Sequence, residues 1–216
     1  MDPAPNPIGV ASGLSNALTE VRKAYRLIWL YQQRLIETIR ILSEQFEVRF
    51  YQFSASLPGN SGQNPLERQL WEFLPLHVAS VLFLNQVSVS SDPNNKPAKN
   101  DYLLEISSIS DTVRLGTQDR RSPIEFGAPE STESRSQIRI YLFVNDEDRE
   151  ANTNWYSGIW NKTDYPPHDQ VGSSRVGGVR TYGYWFDLTD MADMESISNC
   201  AALFKSKAQE RLGVSL

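Results

Sequence analysis

Apolar residues recur at alternating intervals of four and three along the first part of the chain: Leu14, Leu18, Val21, Tyr25, Ile28, Gln32, Leu35, Ile39, Leu42 and Phe46. Gln32 is the one polar member of the series, and neither Gly nor Pro interrupts it. That period predicts an α-helix over 14–46 with an apolar seam of coiled-coil type. Its Arg, Leu, Glu and Gln residues favour helix, and Ser12 or Ser15 can cap its start. At ~1.5 Å per residue the helix is about 50 Å long. The positions flanking the seam are mostly apolar: Ala17, Ala24 and Tyr31 on one side, Trp29 and Ile36 on the other. This face is wider than a two-stranded zipper needs. It suits a helix laid on the domain's own sheet or one that pairs with another subunit. In the second case Leu18, Val21, Tyr25, Ile28, Gln32, Leu35, Ile39 and Leu42 form the oligomerisation surface, with Gln32 setting the register.

Beyond the helix the pattern changes to short β-type runs. Strands are predicted over 48–53, within 77–90, and over 102–109, 112–115, 137–144 and 179–188. Asn64-Pro65 starts a short helix that Pro75 stops. A last helix, capped by Thr189 or Asp190, runs to about Leu212, where Gly213 ends it. Strands follow one another without helices between them, so the sheet should be mainly antiparallel. The expectation is an α+β fold: four to six strands flanked by the long N-terminal amphipathic helix and the C-terminal helix. Residues 1–13 form a Pro-containing tail, 14–46 the helix, and 47–216 the α+β domain with long loops at 116–136 and 145–178.

Composition narrows the function classes. The 216 residues, 40% apolar and 11% aromatic, suffice for one folded domain. A net charge of −5 argues against a nucleic-acid partner held by bulk charge. A single cysteine excludes a disulfide framework and a Cys-based zinc cluster. The proline-rich start has no basic region of secretory type, and no apolar run is long enough to span a membrane. A cytoplasmic protein without a membrane partner is expected. The acidity is local: residues 145–195 hold ten acids and four bases, and the rest of the chain is close to neutral. A binding face there would prefer a basic partner.

Catalytic signatures are absent. His77 sits in an apolar run, and His168 in a polar turn lacks a nucleophile motif beside it. Cys200 falls on the inward side of the last helix, and the glycine-rich stretch 172–178 reads as a hairpin tip, not a phosphate loop. Neither a catalytic residue nor a cofactor is assigned. Carboxylates offer the alternative. Asp101 and Glu105 share a strand face, and Asp187 would approach Asp146 or Asp148 if their strands pair. Together these acids would hold Mg2+ or Mn2+ in a metal-dependent hydrolase or nuclease.

Loop 145–178 carries Trp155, Tyr156, Trp160 and Tyr165 among acids and amides, a composition typical of binding surfaces. With Asp146 and Asp148 these rings form the candidate binding site; folded inward, they would instead plug one end of the domain. The leading expectation is a non-catalytic interaction or assembly subunit, a homo-oligomer or part of a larger assembly. It would associate through the helix and hold a protein partner on the aromatic, acidic loop. A small-ligand or carbohydrate binder using Trp155 and Trp160 is a further alternative.

Overall fold

The computed structural model describes residues 7–55, 78–85, 96–112, 134–150 and 153–216. Outside them lie His77, the short helix expected from Asn64 to Pro75, residues 86–90, all but the first residue of the strand expected at 112–115 and most of the 116–136 loop. The chain forms two units, Met1–Thr38 and Ile39–Leu216.

Helix α1 runs over Pro7–Gln45, 39 residues, or about 58 Å. It begins before the expected start because Pro7 suits a first helical position, where its missing N–H would be unsatisfied anyway. In the first unit Leu14, Leu18, Val21 and Tyr25 are exposed, as are Leu27, Trp29, Leu30 and Ile36. Ile28 and Gln32 are half-buried, and Leu35 and Thr38 are buried.

In the second unit the described strands form one six-stranded antiparallel sheet. They are β1 (Arg49–Ala55), β2 (Val78–Leu84), β3 (Tyr102–Ile109), β4 (Gln137–Asn145), β5 (Gln170–Ser173) and β6 (Val179–Asp187), in the spatial order β1-β2-β3-β4-β6-β5. The expected α+β class is the observed one. β1 carries a bulge between Phe50 and Gln52. Loop 145–178 is more ordered than its lack of periodicity suggests. It holds a π-helical turn at Trp155–Ile159, a 3-10 turn at Trp160–Lys162 and the edge strand β5. β5 pairs outside β6, so the link from β4 has to cross a face of the sheet to reach it.

Helix α2 covers Met194–Leu212. It starts later than Thr189 or Asp190 because Asp193 and Ser196 cap each other's backbone N–H groups, and a 3-10 turn at Leu188–Met191 takes up the residues before them. Gly213, at φ 69°, ends the helix in the left-handed conformation that glycine adopts without strain. Alternation along β6 puts Tyr182 on one face and Gly183 on the other. Phe204 of α2 packs on Tyr182, with ring centroids 5.7 Å apart, and edge-on to Phe46 at 5.6 Å. Ile39, Leu42, Ile197, Ala201 and Ala208 are buried with them in this unit.

Phe204 is fully buried. Phe204→Ala should therefore lower the unfolding free energy by about 3–5 kcal/mol. Urea titration followed by circular dichroism checks the value.

Candidate functional site

All eight residues of β3 are buried, and Glu105 stands in the middle of them. Its register partners are Leu82 on β2 and Tyr141 on β4. The same face carries Ser80, Ser107, Arg139, Phe143, Gly183 and Trp185, placed there by the period-2 alternation. This is the face that the β4–β5 link crosses.

The link forms an aromatic flap. Asn154 caps its first turn, its side chain accepting from Ser157 N at 2.8 Å. Trp155 and Ile159 are driven into a cluster with Leu82, Leu84, Leu103, Tyr141, Phe143 and Val179. Tyr51, the bulge residue of β1, packs against the same cluster, with Tyr156 and Trp160. Tyr156 stacks on Trp160, with centroids 5.1 Å apart. Further along, the Thr163 hydroxyl donates to Ile159 O, and the Tyr165 ring lies 4.7 Å from that of Tyr141. Gly183 makes room for this arrangement, since a Cβ there would sit 2.9 Å from the Tyr141 ring and 3.1 Å from Pro166.

Glu105 is 1% exposed. Its carboxylate accepts from Trp160 Nε1 at 2.6 Å and from the Tyr165 hydroxyl at 3.1 Å. Ser80, whose hydroxyl lies 3.1 Å from that of Ser107, is close enough to donate to it as well. Among the described residues no cation pairs with it. Burial raises the Glu105 carboxyl above its ordinary range, and the Ser80, Trp160 and Tyr165 hydrogen bonds pull part of the way back. Tyr165 keeps half of its surface in solvent, but its hydroxyl end points inward, and burial followed by the Glu105 charge raises its pKa. Burial likewise raises Tyr141. Arg139 turns aside to Gln137 Oε1 and lies 3.9 Å above the Trp185 ring.

The remaining candidates fall elsewhere. Asp146 is gripped by Arg180 at 2.7–3.0 Å, and that hydrogen-bonded guanidinium holds its carboxyl below the ordinary range. Asp148 accepts from Lys99 N, and Asp101 from Ala98 N. Asp187 lies opposite Gln137, whereas Asp146 follows Asn145 at the other end of β4. The strands do pair, but their register keeps the two acids about 27 Å or more apart along the strand. Asp101 and Glu105 are separated by about 13 Å of extended chain. The five carboxylates expected around Mg2+ or Mn2+ therefore do not converge, and no group of three or more His, Cys, Asp or Glu among the described residues could hold a metal ion. A hydrolase built on that convergence has no site here.

Of the four rings expected to face a partner, Trp155 is 2% exposed and Tyr156 and Trp160 are half-buried, which leaves Tyr165 as the exposed one. Five of the ten local acids are also compensated by ion pairs. Asp146, Glu147, Asp164, Asp169 and Asp187 pair with Arg180, Arg149, Arg175, Arg211 and Arg135. His168 accepts from Trp185 N and packs on Tyr184, and Cys200 is buried.

Sequence reasoning placed Glu105 among metal ligands and missed Ser80, Tyr141 and Trp185 altogether. The usable signal was an acid inside the apolar run Leu103-Leu104-Glu105-Ile106, which demands donors from elsewhere.

Trp160→Phe keeps an aromatic side chain and removes the donor. It should lower the unfolding free energy by about 1–3 kcal/mol, the cost of leaving a buried acceptor short of a partner. Chemical denaturation with far-UV dichroism as readout measures it.

Comparison with known proteins adds a relationship over nearly the whole chain. It is similar to the protein of Pasteurella multocida (strain Pm70) named "Uncharacterized protein PM0109", with 27% identity over 208 residues that cover 92% of this chain and 96% of the other. No solved structure matches. The PM0109 family matches residues 11–213, and the chain belongs to that family.

Proposed function

We propose that this protein is a non-catalytic interaction subunit that associates with further copies of itself through α1. The observation that carries the reading is the exposed row Leu14, Leu18, Val21 and Tyr25, which continues at coiled-coil spacing toward Gln32. Removing one such large side chain from water stabilises an association by about 1.5–3 kcal/mol. A monomer that leaves the whole row in solvent forgoes that several times over. Gln32, central in the seam, suits the register-setting role that a buried polar residue plays between paired helices.

A second feature points to a bundle in place of a simple pair. Tyr25, Leu27, Trp29 and Leu30 are all exposed, and at 100° per residue they spread over about 200° of the helix. An apolar surface wider than one stripe suits a helix covered on more than one side. Among the described residues no helix is long and apolar enough to cross a membrane. With its rings turned inward, the aromatic loop adds less to this reading than its composition suggests. The half-exposed ring of Tyr165 is what it offers a protein partner.

Light scattering of the full-length chain should give a multiple of its 24.5 kDa mass. Leu18→Glu combined with Tyr25→Glu alters two exposed positions and should return the mass to that of a monomer with unchanged helix content. A wild-type chain that is monomeric at its highest attainable concentration overturns the proposal.

A further inference from the structure

The flap and the desolvation of Glu105 are one event. Two of the three donors to the carboxylate, Trp160 Nε1 and the Tyr165 hydroxyl, belong to the flap. If the flap lifts, Glu105 loses both and meets water. Closed, it is a carboxyl in the central part of the sheet held by neutral donors alone. A buried ionised carboxylate is expensive without a compensating cation, and neutral hydrogen bonds offset only part of that cost.

The groups facing Glu105 come from each element packed on it. β2 contributes Ser80, β4 contributes Tyr141 with Arg139 beyond it, and the flap contributes Trp160 and Tyr165. Arg139 is the one cation in this set, and its guanidinium is engaged by Gln137 and the Trp185 ring. The closed arrangement is also incompletely satisfied. Thr181 Oγ1 and Trp185 Nε1, on the same face, are buried without a hydrogen-bond partner, although the Trp185 N–H is close enough to act on the Tyr141 hydroxyl. Groups of this kind gain partners when water enters.

We propose that Glu105 makes the flap over residues 153–165 a proton-sensitive cover, held down when the carboxyl carries a proton and loosened when it ionises. In the protonated state one carboxyl oxygen still accepts from Trp160, and the acid O–H donates to the Tyr165 oxygen once the phenol hydrogen has turned away from it. In the ionised state both bonds persist, but the desolvated charge favours the open, hydrated flap. The sign follows from linkage. An acid whose pKa is higher in the closed state stabilises closure fully below its open-state value. That stabilisation is lost as pH rises through the closed-state value. What the cover exposes is a patch bearing a carboxylate, the Arg139 guanidinium and the Tyr141 and Trp185 rings.

Hydrogen exchange of the full-length protein, read on a peptide spanning residues 153–165 and corrected for the intrinsic pH dependence of exchange, tests this. From about pH 5 to about pH 8 the wild-type protection factor should fall, by as much as ~10-fold per pH unit inside the window where one proton is released. Glu105→Gln keeps an acceptor for Trp160 and a donor for Tyr165, so its protection should be flat with pH and exceed that of wild type at the alkaline end. Trp160→Phe removes a donor that favours ionisation and should lower protection at every pH while keeping the downward slope. A flat wild-type profile overturns the proposal on its own, whatever becomes of the variants. A Glu105→Gln profile with the wild-type slope also overturns it.

Discussion

A carboxylate placed without a cation in the central part of a sheet has to be solvated by the protein itself, and the polar half of this structure is organised around that requirement. Glu105 sits on β3 with strands on both sides, so its neighbours in the sheet supply one donor, Ser80. The others have to come from above. They come from the link between β4 and β5, which crosses this face because β5 pairs beyond β6. Strand order and hydrogen bonding thus support each other. The crossing delivers Trp160 and Tyr165 to the acid, and the acid pins the crossing to the sheet.

The two faces of the sheet are held by different physics. On the α2 side the contacts are apolar and aromatic, with Phe204 between Tyr182 and Phe46. That packing does not itself titrate, and ionised pairs such as Arg211–Asp169 sit at its partly exposed rim. On the flap side a thin apolar layer around Trp155 and Ile159 shares the surface with hydrogen bonds to an ionisable group. Local opening favours segments with few buried apolar contacts and polar groups that water can satisfy. The flap meets that description and α2 does not.

Half of the acids that gave residues 145–195 their apparent charge are drawn into this framework by ion pairs. Arg180 joins Asp146 to the carbonyl of Leu212 at the end of α2. Asp169, at a positive φ that Asp tolerates, takes the Tyr182 hydroxyl and pairs with Arg211. These pairs bridge elements far apart in sequence, so their geometric role in locating β5 and α2 exceeds the small energy of exposed ion pairs. The acidity works inward more than outward.

Period and punctuation in the sequence determined the long helix, the α+β class, the position of β3 and the glycine that ends α2. Each of these depends on residues within a few positions of one another: the four-three spacing from Leu14, the apolar run at Leu103, the left-handed turn at Gly213. Strand order and register are set by contacts between residues dozens of positions apart, and no local pattern encodes them. Register put Asp187 at one end of β4 and Asp146 at the other, so the metal cluster expected from the pairing of their strands did not form. Register also aligned Ser80, Glu105 and Tyr141 near one another, and strand order brought Trp160 over them. The sequence by itself established that an acid lay in an apolar strand and that a nearby loop was rich in indole and phenol groups. Only the tertiary structure decided that they belong together, because a buried carboxylate finds its donors by proximity in space, not along the chain.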